Sequence, residues 1–131
     1  MFDLLSAKQA AQLYACLTLI VVLFQFALAF GAPWGSLAMG GKFPGRYPKK
    51  MRIACLPLIA LLTSWAILVA MRAGLIAAEV GSTLTILVWI VVALNTAGAV
   101  MNLITPSKWE RIIWGPVTLA MLFCSVTVVL S

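Results

Sequence analysis

The side chains able to do covalent or acid–base chemistry are few and scattered. The chain has three cysteines, Cys16, Cys55 and Cys124, three acids and no histidine. A nucleophilic thiolate needs a nearby base or cation, and a metal site needs a cluster of soft or imidazole ligands. There is no CxxC pair, so the cysteines read as small apolar residues within helices. Cys16 and Cys124 fall at similar depth, which leaves a bridge between them conceivable. A general base near neutral pH would have to be a strongly shifted Glu79 or a cysteine, and neither has a visible partner. The sequence therefore argues against an enzyme, and no metal or cofactor is expected.

The uncharged polar residues are better organised. Tyr14, Thr18, Gln25 and Ala29 are spaced 4, 7 and 4, on one helical face. Asn95 and Asn102 stand seven apart, with Gly98 between them and Thr85 upstream. Thr63 with Ser64, and Gly115 with Thr118 and Ser125, mark two further faces. Small and polar residues are what joins helices in lipid. Gln25, Asn95, Gly98 and Asn102 either serve that role or line a ligand pocket or pathway.

These faces need elements to carry them. Of 131 residues, 64% are hydrophobic and 9% charged, against about 25% charged in a soluble domain. The charges are segregated: 9–41, 53–71, 80–107 and 112–131 contain none. A helix crosses the hydrocarbon core with roughly 20 apolar residues. The reading is a single all-α membrane domain over 1–131. Its four transmembrane helices span about 12–32, 52–72, 83–104 and 111–130. A β-barrel is excluded, because the runs lack period-2 alternation and four strands cannot close one.

Lys42, Arg46, Lys49, Lys50, Arg52, Lys108 and Arg111 lie on one side of such a bundle, and Lys8 and Arg72 on the other. Seven against two places the first and third loops in the cytoplasm and both termini outside. The alternative, a cleaved signal peptide with its core at 13–29, puts the positive side after the segment rather than before it. The net charge of +6 thus points to anionic lipid headgroups rather than nucleic acid. The expected partners are the bilayer and either a second copy or another membrane protein. The expected site is a bacterial inner membrane.

The stretch 31–52, GAPWGSLAMGGKFPGRYPKKMR, holds five of the nine glycines and five of the nine basic residues. Its basic half, Lys42, Arg46, Lys49, Lys50 and Arg52, reads as a headgroup contact, with Trp34 and Tyr47 at headgroup level. Its glycine-rich half, with Pro33, Trp34, Gly35, Gly40 and Gly41, reads as a surface connector or as a lid tucked against the bundle. Gly40-Gly41-Lys42 lacks the spacing and hydroxyl of a P-loop.

Lys-x-x-Arg-Ile-x-x-x-Pro occurs at 49–57 and again at 108–116. The chain therefore reads as two tandem hairpins of the same orientation, a parallel pseudo-repeat. Ser107 and Glu110 fit a capping box, with Trp109 and Trp114 as interface anchors. Glu79 reads as interfacial, with Arg72 as a possible ion partner. The first helix lacks the embedded acid of small multidrug transporters, and the asparagine and phenylalanine motifs of small fluoride channels are missing. GAPWG…GG (31–41) with N…TPSKWERIIWGP (102–116) resembles a group of short, uncharacterised bacterial membrane proteins. That resemblance implies a four-helix membrane protein and carries no activity. Two functions remain: a binding or accessory protein that oligomerises or joins a larger complex, or a small transporter or channel. The second would carry a neutral or lipid-like solute past Gln25, Asn95 and Asn102, since no span holds a carboxylate for proton coupling.

Overall fold

A computed structural model describes residues 5–76 and 81–131. Its helices are α1 (Ala7–Ala29), α2 (Lys49–Ala73), α3 (Ser82–Ile104) and α4 (Lys108–Val129). Two short 3-10 turns, Gly35–Leu37 and Met39–Gly41, interrupt the loop between α1 and α2. All four helices are long and apolar enough to cross a bilayer. At 1.5 Å per residue, 22 to 25 residues cover about 33–38 Å, enough for a core of about 30 Å. This is a four-helix integral membrane protein.

Three starts differ from the hydropathy reading for a local reason. α1 begins five residues early, because Ser6 and Gln9 form a capping box. The Gln9 N–H donates to Ser6 Oγ at 3.1 Å, and the Ser6 N–H donates to Gln9 Oε1 at 3.0 Å. Hydropathy sees the polar Lys8 and Gln9 and starts the span later; the cap is what extends the helix outward. α2 and α4 likewise start at Lys49 and Lys108, each the first lysine of the repeated motif. Their prolines, Pro57 and Pro116, therefore occupy the same place inside each helix.

The α1–α2 and α3–α4 pairs pack as antiparallel hairpins, and α1 meets α4 to join them. The largest core cluster draws on all four helices: Ala10, Ala11 and Tyr14 of α1, Val69 of α2, Val91 of α3, and Met121, Cys124 and Val128 of α4. Alanines at α1's contact let its backbone come close, as lipid-embedded packing requires. All three cysteines are free, Cys16 exposed and the other two buried, so no Cys16–Cys124 bridge forms.

The ends of the helices explain the repeated arginine. The last carbonyls of a helix lack intrahelical donors and carry the negative end of its dipole. Arg52 Nε donates to the carbonyl of Ala29, the last residue of α1, at 2.9 Å. Arg111, its counterpart in the second motif, donates from Nη1 to the carbonyl of Thr105, just past α3. At the opposite end Arg72 Nη2 donates to the carbonyls of Ser131 at 2.9 Å and Val129 at 3.3 Å, where α4 finishes. Thus three arginines close three helix C-termini. The fourth, α2, closes with Gly74 in the left-handed region (φ 81°), whose N–H bonds back to Met71. The proposed Arg72–Glu79 pair lies outside the described residues.

Candidate functional site: the basic end of the bundle

The loop at 30–48 folds onto the end of the bundle and is fixed there by the first two turns of α4. Three contacts hold it. The Gly40 N–H donates to Glu110 Oε2 at 3.1 Å. Trp114 Nε1–H donates to the Leu37 carbonyl at 3.0 Å. Ser107 Oγ donates to the Ser36 carbonyl at 2.8 Å. Because Ser107 and Glu110 belong to the second hairpin's entrance, both loops share one end. That end carries seven of the nine basic residues.

Within the loop, the Gly35 N–H donates to the Gly45 carbonyl at 2.8 Å. This closes a tight ring of backbone. A Cβ on Gly35 would sit 1.8 Å from the Phe43 carbonyl oxygen, so only glycine fits. Gly40 is needed for a different reason. Its φ of 66° turns its N–H toward Glu110, a conformation other residues seldom take. Beneath the loop Tyr47 packs with Leu28 and Cys55, and edge-on to Phe43 at 6.0 Å. Trp34 lies parallel to Phe24 at 6.3 Å, and Phe24 contacts Trp114 at 4.7 Å.

Several sequence expectations change here. Glu110 does not complete a capping box. Ser107 Oγ accepts the Glu110 N–H at 3.3 Å, but the carboxylate turns away to the loop. It is only 6% exposed and makes no ion pair among the described residues. Tyr47 and Trp114 are buried loop supports rather than headgroup-level anchors, while Trp34 and Trp109 remain exposed. Burial of Tyr47 pushes its phenol up to about 12. Pro33 is exposed at the rim, and Gly41 rests against Ser107.

The basic residues face outward. Lys42, Arg46, Lys49 and Lys50 are exposed and Arg52 is half-buried. None of them makes an ion pair among the described residues. The Arg46 guanidinium lies over Gly31, where a Cβ would meet its Nε at 2.7 Å. With Arg52 on Ala29, this puts two guanidinium groups at the C-terminus of α1.

The interior polar residues do not converge. Asn95 is buried and bonds to Tyr14 across the α1–α3 contact; Asn95 Nδ2 lies 3.0 Å from Tyr14 Oη, and the phenol lies 3.4 Å from Asn95 Oδ1. Thr18, one turn along α1, has a buried hydroxyl without a partner among the described residues. Asn102 donates to the Gly98 carbonyl of its own helix at 2.9 Å, and a Cβ on Gly98 would meet open space. Gln25 is half-buried, and its side chain makes no hydrogen bond among the described residues. Two open grooves run along the surface. One lies between α3 and α4, lined by Val92, Thr96, Leu119, Leu122, Phe123 and Val126. The other lies where α1 ends and α2 begins, at Ala29, Phe30, Lys49, Arg52, Ile53 and Leu56. Neither includes Gln25, Asn95 or Asn102.

Sequence reasoning missed Glu110 as a loop latch. Its signal was the oddity of an acid in a strongly basic end. Comparison with protein-family models, curated proteins and solved structures finds no match.

Proposed function

We propose that this is a binding protein of accessory type in the bacterial inner membrane. It associates with a second copy or another membrane protein through its apolar helix faces, and its basic end rests on anionic headgroups of the cytoplasmic leaflet. The observation that carries this reading is the fixed basic cap. A loop held at three points by α4 and its N-cap keeps cations that have no ion partner among the described residues on one end of the bundle. Each cation near an anionic leaflet contributes about 1 kcal/mol of attraction. The polar residues suited to a pathway are tied up locally instead, Asn95 with Tyr14 and Asn102 with Gly98.

Photo-cross-linking in the intact membrane tests the association. A photoreactive residue replaces Met101 or Ile104, which are 67% and 74% exposed. Discrete adducts of protein mass support the reading. Adducts with lipid alone, from these and equivalent positions on the other helices, overturn it.

A further inference from the structure

The groove at the α1–α2 junction combines cations with an apolar wall, whereas the lining of the groove between α3 and α4 holds no charge. Lys49, Arg52, Ile53 and Leu56 are spaced 3, 4 and 7 from the first, so they share one face of α2. Ala29 and Phe30, at the end of α1, form the facing wall. Two cations thus stand at the headgroup end and an apolar channel runs inward from them, past the exposed Ile53 and Leu56. No acid lines it. Its volume, about 370 Å³, falls in the range of about 300–1,000 Å³ usual for small-ligand sites.

Arg52 is preorganised there. Its Nε is committed to the Ala29 carbonyl, which anchors the guanidinium, while its two η nitrogens have no partner among the described residues. They are not sealed from solvent either. A guanidinium anchored at one edge and free at the other suits a phosphate oxygen. The second hairpin differs at the corresponding place: Gly115 stands where Leu56 does and is buried against Leu103, so the apolar wall is not continued there.

We propose that this groove binds one anionic phospholipid, its phosphate on Lys49 and the free edge of Arg52, one acyl chain lying along Phe30, Ile53 and Leu56. The inference rests on the headgroup reading above and makes it specific: one site rather than a diffuse basic face.

The test places the full chain in nanodiscs of equal phosphatidylglycerol and phosphatidylcholine, then releases it for native mass spectrometry. One phosphatidylglycerol is retained per chain. Lys49→Gln removes a charge-assisted contact and lowers retention about tenfold. Ile53→Trp fills the channel from a lipid-facing position and lowers it by a similar factor, with the unfolding midpoint confirming an intact fold. Arg52 is left in place because it also closes α1. The paired Lys42→Gln, Lys50→Gln chain keeps the bound lipid. If that pair loses as much lipid as Lys49→Gln, or Ile53→Trp loses none, the site is overturned while the headgroup reading stands. If the unmodified chain retains phosphatidylcholine equally well, both are overturned.

Discussion

Replacing Glu110 by alanine should release the loop cap without unfolding the bundle. The carboxylate is almost fully buried and accepts a hydrogen bond from the Gly40 N–H at 3.1 Å. Hydrogen bonds to charged groups are worth about 1.5–3 kcal/mol, and the deletion also strands the Gly40 N–H. The two remaining ties, Trp114 to Leu37 and Ser107 to Ser36, hold the loop less firmly. A loss of about 2 kcal/mol in the closing equilibrium corresponds to roughly 30-fold faster amide exchange over residues 35–43. Glu110→Gln keeps an acceptor but not the charge, and should fall between the two. The assay is hydrogen–deuterium exchange in detergent or nanodiscs, with residues 84–92 of α3 as internal reference. Unchanged exchange at 35–43 in Glu110→Ala would refute the latch. Equal acceleration in α3 would show that Glu110 supports the whole bundle instead.

Other consequences can be checked alongside. Gly35→Ala forces a Cβ against the Phe43 carbonyl and should open the loop as proteolytic sensitivity, whereas Gly81→Ala, with open space around it, should be silent. The Tyr47 phenol is raised in the folded loop to about 12 from 10, so the folded state keeps its proton longer. Its contribution is full below pH 10 and fades as pH rises from 10 toward 12; loop exchange should accelerate there in the native chain and less so in Tyr47→Phe. Tyr14→Phe leaves Asn95 without its partner, and the Tyr14→Phe, Asn95→Leu cycle should give a coupling of about 0.6 kcal/mol, at most about 1.7. A coupling of zero in an unfolding assay would mean the pair does not join α1 to α3.

Much of the fold was legible because lipid imposes a simple rule. Charge-free runs long enough to span must be helices, so four spans and the shared basic end followed from where the charges stop. The repeated motif also carried a structural meaning: Arg52 and Arg111 each close the C-terminus of the preceding helix. What stayed hidden depends on contacts between distant residues. The capping-box spacing at Ser107 and Glu110 is a local rule, and the loop captured the carboxylate in its place. Trp114 and Tyr47 look like interfacial aromatics by composition, yet a loop that folds over them buries both. Polar spacing placed Asn95 and Asn102 on one face of α3. It gave no sign that Asn95 would meet Tyr14 while Asn102 turned back on its own helix.

On the function proposed above, the protein works by association. Native mass spectrometry after gentle extraction from its own membrane tests it most directly. The account predicts a stoichiometric assembly, either copies of this chain or this chain with a second membrane protein. A bare monomer without a protein partner, stable across extraction conditions, would contradict it.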